Sequence, residues 1–162
     1  MDLTPYRRTE TVLVEAPPDV IYDLVADVRR MGEWSPVCTG GEYDADRGWF
    51  TGHNAIDTYT WSTRCRVVAA EPGREFAFVN CGEDGAHELV RWGFQLRPES
   101  PGRTEVVQSW LVLPTYAAGF EAEGPDRGEL RDRLDLMQAM AEQGMPETLD
   151  GLRRAAEAAV VT

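Results

Sequence analysis

The chain of 162 residues is long enough for one domain with a hydrophobic core, and its 43% hydrophobic and 27% charged residues are ordinary for a globular protein. Its formal net charge of −12 repels phosphate backbones and anionic lipid, which argues against nucleic acid and membrane surfaces as partners. All 16 basic residues are arginine, so chemistry through a lysine Schiff base is excluded.

Residues 6–15 favour a strand, and the segment after them predicts a short amphipathic helix. Pro18 suits the first helical position, and Asp19 interacts favourably with the helix dipole. The apolar face of this helix is Val20, Ile21, Leu24, Val25 and Val28. Residues 31–36 end this helix and predict a second short turn, and Pro36 should break any helix that precedes it.

Residues 37–113 predict strands joined by short turns. The segments 37–43 and 48–55 form a hairpin pattern, and polar and apolar residues alternate from Thr58. Further strands are expected at 75–80, 87–97 and 104–113, with a type II turn at Pro72 and Gly73. We therefore expect about seven antiparallel strands, since no helices are interleaved as a parallel α/β sheet requires.

The C-terminal third predicts one long helix. Residues 114–126 favour a loop, punctuated by proline and glycine, that carries Tyr116 and Phe120. From Arg127 onward, apolar residues recur every three or four positions: Leu130, Leu134, Met137, Ala141, Met145, Leu149, Leu152, Ala156 and Val160. Pro146 removes a backbone donor from this helix, which predicts a kink near residues 142–146.

Three cysteines and two histidines limit the covalent and metal chemistry that we expect. Cys38, Cys65 and Cys81 are an odd number without CxxC spacing, which argues against a disulfide framework and a structural zinc site. His53 and His87 are too few for a metal centre or a histidine-based triad and are interpreted as surface residues. We expect no metal and no cofactor.

The inward positions of the predicted strands are aromatic with a few polar groups among them. These positions are Trp61, Thr63, Cys65, Phe78, Asn80, Trp92, Gln108 and Trp110. Small-molecule sites have this composition, although aromatic residues also dominate ordinary cores. Burying Asn80 or Gln108 without a hydrogen-bond partner would cost about 1–3 kcal/mol each. We therefore expect each of them to pair with protein, with water or with a ligand.

Several segments resemble the SRPBCC superfamily, the START and Bet v 1-like helix-grip proteins, and in particular its bacterial polyketide cyclase/dehydrase-like members. They are VEAPPDVIYDLVADVRRMGEWSP, the glycine-framed segment 48–54, the alternating segment 61–67, the turn and strand 71–78, and the stretches 102–110 and 144–149. The resemblance implies an α+β helix-grip fold over residues 1–162. In it a seven-stranded curved antiparallel sheet wraps a long C-terminal helix, with two short helices between strands 1 and 2. It also implies a tunnel that binds lipids, polyketides or steroids.

From the inward pattern and this resemblance we predict one ligand-binding tunnel between the sheet and the C-terminal helix. The predicted contacts are Trp34, Asn54, Trp61, Thr63, Cys65, Phe78, Asn80, Trp92, Gln108, Trp110, Tyr116, Phe120, Leu134, Met137 and Ala141. We assign no catalytic residue. The resemblance implies that a cyclase of this family would use inward Arg, Tyr, Ser or His side chains. By alternation, however, Arg64, Arg66 and Arg91 fall on the opposite face.

Three functions stay open at this point. The preferred one is a protein that binds a hydrophobic, aromatic or polyketide-like molecule. The second is a polyketide cyclase, aromatase or dehydratase acting in the same tunnel, which an inward ionisable residue would favour. The third is a protein-interaction or co-chaperone-like domain, which a collapsed tunnel with an exposed apolar patch would favour. No leader segment is evident in MDLTPYRRTE, so we expect a cytoplasmic protein, either monomer or homodimer, that does not insert into membranes.

Overall fold

A curved antiparallel sheet of seven strands forms the body of the computed structural model, which describes residues 1–122 and 126–161. The strands are β1 (Arg7–Val14), β2 (Cys38–Tyr43), β3 (Trp49–Ile56), β4 (Tyr59–Glu71), β5 (Glu75–Asn80), β6 (Val90–Ser100) and β7 (Arg103–Val112). Their order is β1-β7-β6-β5-β4-β3-β2, so every neighbouring pair except β1 and β7 is consecutive along the chain. The predicted succession of hairpins is therefore confirmed.

Two short helical segments lie between β1 and β2, as the sequence predicted. Helix α1 (Pro18–Val25) has proline in its first turn and buries Ile21, Leu24 and Val25. A 3₁₀ helix (Val28–Glu33) follows, and the side chain of its N-cap residue Asp27 accepts a hydrogen bond from the backbone N–H of Arg29. This arrangement confirms the helix-grip class.

Between β4 and β5 the chain reverses at the glycine that a type II turn requires. Gly73 has φ +74°, and the backbone N–H of Arg74 donates to the carbonyl oxygen of Glu71 over 2.9 Å. The turn keeps β4 and β5 adjacent, with a register shift between Val67 and Ala69, and Phe76 and Phe78 pack in the apolar cluster on the concave side of the sheet.

The segment after β7 corrects one prediction. Residues 114–122 form a helix, α2 (Pro114–Ala122), where the sequence predicted a loop. Pro114 is compatible with a helix start, and Ala117 is buried against the neighbouring core, so tertiary packing outweighs the weak amphipathic pattern and Gly119. Residues 123–125 of the predicted loop lie outside the described residues.

Helix α3 (Arg127–Val161) begins at the predicted residue and runs through Pro146 as one helix. The predicted kink near Pro146 stays a prediction. Among the residues the structure describes, no helix is both long and apolar enough to cross a membrane.

Two apolar clusters hold α3 to one side of the sheet, where it packs against β1, β7 and α1. The C-terminal half of α3 contributes Leu149, Leu152 and Ala156 to a cluster with α1 and the concave face of the sheet. Its N-terminal half contributes Leu130 and Leu134 to a second cluster beside Trp110 and Val112. The opposite edge strand, β2, is packed against the 3₁₀ helix instead. The concave face between these two supports is where the cavity lies.

Candidate ligand-binding site

A cavity of about 400 Å³ lies between the concave face of the sheet and α3. The sheet lines it with Cys38, Phe50, Gly52, Asn54, Trp61, Thr63, Cys65, Phe78, Asn80, Val90, Trp92, Phe94, Gln108 and Trp110. The segment at the end of the 3₁₀ helix adds Met31, Trp34, Ser35, Pro36 and Val37, and α3 adds Met137, Met140, Ala141, Gly144, Met145 and Thr148. The cavity is thus closed by three separate parts of the chain.

The structure brings most of the predicted site residues together on this wall. They are Trp34, Asn54, Trp61, Thr63, Cys65, Phe78, Asn80, Trp92, Gln108, Trp110, Met137 and Ala141. Strand alternation explains this agreement, because successive inward positions on paired strands meet on one face of the sheet. Trp92 on β6 lies directly opposite Trp110 on β7, for example. That these residues contact a ligand stays a prediction.

Three predicted residues lie elsewhere, in the apolar cluster next to the cavity. Leu134 is fully buried beside Leu130, and Tyr116 and Phe120 pack against the same cluster. Leu134 shares the apolar stripe of α3 but lies about one helical turn before Met137. Tyr116 and Phe120 belong to α2, which fixes them against this cluster, whereas a loop would have left them free to reach the cavity.

Sequence reasoning predicted Trp34 but missed the rest of the wall that follows the 3₁₀ helix, residues 35–38. Ser35 orders this wall, because its Oγ accepts hydrogen bonds from the backbone N–H groups of Val37 and Cys38 at 3.2 and 2.9 Å. Helix α3 approaches the wall closely at Gly144, where an added Cβ would lie 3.3 Å from Cγ of Pro36. The sequence signal was the run from Met31 to Pro36, which was interpreted as a helix end and a short turn and, apart from Trp34, not as part of the site.

The cavity contains neutral polar side chains, and most of them are paired within the protein. Asn54 donates from Nδ2 to Oγ1 of Thr63 over 3.5 Å, and Oδ1 of Asn80 accepts from the backbone N–H of Gly82 over 2.9 Å. Gln108 differs, because its Oε1 is buried without a hydrogen-bond partner among the described residues. Buried polar groups are normally paired, so this oxygen is exceptional.

Charged side chains are absent from the described residues that line the cavity. Arg64 points outward to Asp44, 2.7 Å away, and Arg66 pairs with Glu88 on the same outer face. The ring nitrogens of His53 lie 2.9 Å from Oγ of Ser62 and 2.8 Å from the carboxylate of Glu42, also outside the cavity. The described lining residues thus include no acid, base or histidine for proton transfer near neutral pH. On β1, Arg8 and Glu10 lie opposite the inward residues Trp110 and Gln108, and they pair with each other.

The thiols in the cavity wall are poor nucleophiles, because burial stabilises their neutral form. Burial raises the pKa of Cys65 to about 12, and it also raises the pKa of Cys38. At pH 8 a thiol with a pKa near 12 is ionised in about one molecule in ten thousand, whereas an unfolded cysteine with a pKa near 8.5 is substantially ionised. Nucleophilic catalysis by Cys65 is disfavoured on this ground.

This difference gives a direct test of the cavity wall. In the folded protein at pH 8, alkylation of Cys65 by iodoacetamide should be at least about a hundredfold slower than in guanidinium, as measured by peptide mass spectrometry. The raised pKa also makes the free energy of unfolding depend on pH. The contribution of the neutral Cys65 thiol is complete below the pKa of the unfolded thiol and is lost as the pH rises from there through the folded pKa of about 12. Equal alkylation rates in the folded and unfolded protein would contradict the burial of Cys65.

A curved seven-stranded sheet that grips a long helix across an internal apolar cavity defines a helix-grip protein, a fold that binds hydrophobic ligands. The chain belongs to the family described as polyketide cyclase/dehydrase and lipid transport, whose model matches residues 7–157. This places it in the SRPBCC superfamily, as the sequence segments indicated. None of the curated proteins matches the chain significantly.

Solved structures agree with this membership. A Polyketide_cyc-like protein from Corynebacterium glutamicum is similar, with 31% identity, a TM-score of 0.66, and coverage of 96% of this chain and 93% of that chain. The Zhui aromatase/cyclase from Streptomyces sp. R1128 shares the fold at 21% identity, with a TM-score of 0.69 and coverage of 95% and 94%. A START superfamily protein from Mycobacterium smegmatis does so at 18% identity, with a TM-score of 0.59 and coverage of 95% and 96%.

Proposed function

We propose that this protein binds a hydrophobic small molecule, aromatic or polyketide-like, in the cavity between the sheet and α3. The observation that carries the proposal is a cavity of about 400 Å³ lined by four tryptophans and no charged side chain among the described residues. Its size falls within the roughly 300–1,000 Å³ of small-molecule sites, and its composition has the apolar walls and few polar groups of such sites.

The energetics favour an aromatic guest. Trp61 and Trp92 line the cavity but are only partly buried, so apolar surface of both rings is left for a ligand to cover. Each 100 Å² of apolar surface removed from water contributes about 2.5 kcal/mol to binding, before the cost of immobilising the ligand. Planar rings also gain from stacked or edge-on contacts with indoles.

Cyclisation or dehydration of a polyketide in the same cavity is the second candidate function. The description of the family favours it, as does the likeness in fold to an aromatase/cyclase. The cavity lining argues for binding instead, because its titratable groups are thiols with raised pKa values. Such an enzyme would have to act mainly by holding its substrate in a folded conformation. The open cavity also supports binding over the protein-interaction alternative, for which a collapsed tunnel was expected.

Filling the cavity from α3 tests the proposal. Ala141 lines the cavity, so Ala141→Phe should weaken binding of a neutral solvatochromic dye such as Nile red by about tenfold or more, because the ring occupies ligand space. Fluorescence titration measures the affinity, and thermal unfolding checks that the variant folds. Leu136→Phe is the matched control, since Leu136 lies on the same helix with 62% of its surface exposed.

Two outcomes would count against the proposal. Equal dye affinity of the Ala141 variant, the Leu136 variant and the wild type would show that the dye binds outside the cavity. Absence of dye binding to the wild type would contradict ligand binding itself. Native mass spectrometry of freshly purified protein supplies a second readout, and a co-purified small molecule lost in Ala141→Phe would support the proposal.

A further inference from the structure

We infer that Gln108 selects a ligand that carries a hydroxyl group, and that the cavity takes this ligand in an uncharged form. The inference rests on the proposed function and names the chemical class of the guest. It concerns the one polar side chain on the cavity wall whose oxygen is buried and unpaired in the described part of the chain.

Gln108 lies in the middle of β7, on the concave face and deep in the cavity wall. It is only 4% exposed, and its cross-strand neighbours are Phe94 on β6 and Glu10 on β1, whose carboxylate is paired with Arg8. The next inward position along β7 is Trp110, which faces Trp92 across the same pair of strands. Toward β6 the amide therefore adjoins aromatic residues that line the cavity, and there a planar ligand would have one polar contact on an apolar surface.

A fully buried and unpaired oxygen distinguishes Gln108 from the polar groups of the wall that have protein partners. Asn54 and Thr63 pair with each other, and Asn80 and Ser35 accept hydrogen bonds from backbone N–H groups. An unpaired buried acceptor is unfavourable, and an apolar residue of similar shape would avoid the penalty. Glutamine at this position therefore lowers the free energy of unfolding of the protein alone. A ligand that forms a hydrogen bond with the amide removes this penalty.

A hydroxyl group is the partner that fits both orientations of the amide. The amide presents one acceptor and two donors, and a hydroxyl can donate to Oε1 or accept from Nε2. The oxygen is buried, so a rotation of the amide toward the cavity would bring it to the ligand. A carboxylate could only accept, and its charge would meet no opposite charge among the described lining residues.

Three naphthalenes of similar size separate these properties: 2-naphthol, 2-methylnaphthalene and 2-naphthoate, titrated at pH 7 with tryptophan fluorescence or calorimetry as the readout. In Gln108→Leu, the affinity ratio of 2-naphthol to 2-methylnaphthalene should fall about tenfold relative to the wild type, as expected for one hydrogen bond in an apolar site. The wild type should bind 2-naphthoate at least about tenfold more weakly than 2-naphthol.

A stability measurement separates selection from a structural role. Without ligand, Gln108→Leu should raise the midpoint of thermal unfolding, because it removes the unpaired oxygen. Gln108→Met, which keeps the length of the side chain, repeats the test if leucine prevents folding. Gln95→Leu is the matched control, since Gln95 is an exposed glutamine on the outer face of β6 and should leave the affinity ratio unchanged.

The outcomes distinguish the inference from the proposed function. An unchanged ratio in Gln108→Leu with a lower unfolding midpoint would overturn the role of Gln108 while leaving ligand binding intact. Binding of 2-naphthoate as tight as that of 2-naphthol would overturn the requirement for an uncharged ligand. If the wild type binds Nile red but neither 2-naphthol nor 2-methylnaphthalene, the inference of a hydroxylated aromatic ligand is overturned and the proposed function is not. If the wild type binds neither Nile red nor the naphthalenes, the proposed function is overturned as well.

Discussion

Replacing Leu152 with alanine should lower the free energy of unfolding by about 2–5 kcal/mol. Leu152 is fully buried, where α3 meets α1 and the sheet, in one cluster with Val14 and Ile21. Truncation removes apolar contacts and leaves a void that the rigid sheet cannot close. Chemical denaturation measures the change, and a loss of under about 1 kcal/mol would contradict the assignment of Leu152 to the core.

Leu136→Ala is the matched control for this truncation, because it makes the same chemical change on the same helix at a position that is 62% exposed. Its effect should stay within about 0.5 kcal/mol. Leu152 does not line the cavity, so Leu152→Ala should keep the dye affinity of the wild type under conditions where it is folded. Loss of binding by the folded variant would show that the core and the cavity are coupled.

Stability and dye binding should respond separately to Leu152→Ala, because different turns of α3 contact the core and the cavity. Its last turns, with Leu149, Leu152 and Ala156, fill the space over α1 and the sheet. Its middle turns, with Met137, Ala141 and Gly144, face the cavity. A single apolar stripe therefore serves two purposes, and its periodicity is the same in both parts. Stability depends mainly on the last turns of the helix and on Leu130 and Leu134 near its start, whereas ligand binding depends on its middle turns.

This shared stripe explains what the sequence could and could not predict. Alternation identified the inward face of the strands, because a residue such as Trp92 can point to only two sides of a sheet. The stripe of α3 identified its buried face, yet periodicity does not reveal where along the helix the core ends and a cavity begins. Leu134 and Met137 belong to one stripe, and only the packed structure shows that Leu134 is covered by a neighbouring cluster.

Contacts between distant segments set the second limit. The wall from Ser35 to Cys38 has no periodic signal, and its place depends on the 3₁₀ helix lying against β2. The sequence marked Gln108 as an inward polar residue and left open whether it was paired. Whether a buried amide finds a partner depends on atoms from several strands, which a pattern along one strand does not contain.

Gly32→Ala should lower the free energy of unfolding by about 3 kcal/mol and also weaken ligand binding. Gly32 lies in the 3₁₀ helix, where an added Cβ would be 2.5 Å from the carbonyl oxygen of Thr39. Thr39 stands at the register shift of β2 between Cys38 and Gly40, and its Oγ1 donates to the carbonyl oxygen of His53 on β3. Because these contacts hold Thr39 in place, the methyl group added by Gly32→Ala should push the 3₁₀ helix away from β2.

The loss of binding follows because Met31 and Trp34, on either side of Gly32, line the cavity, and a displaced 3₁₀ helix carries both with it. Gly119→Ala in α2 is the control, since an added Cβ there meets no atom within 4 Å. That substitution should stabilise the protein by about 0.5–1 kcal/mol through helix propensity. Urea denaturation of the two variants should therefore give shifts of opposite sign, and stability of Gly32→Ala equal to the wild type would contradict the close packing of the 3₁₀ helix on β2.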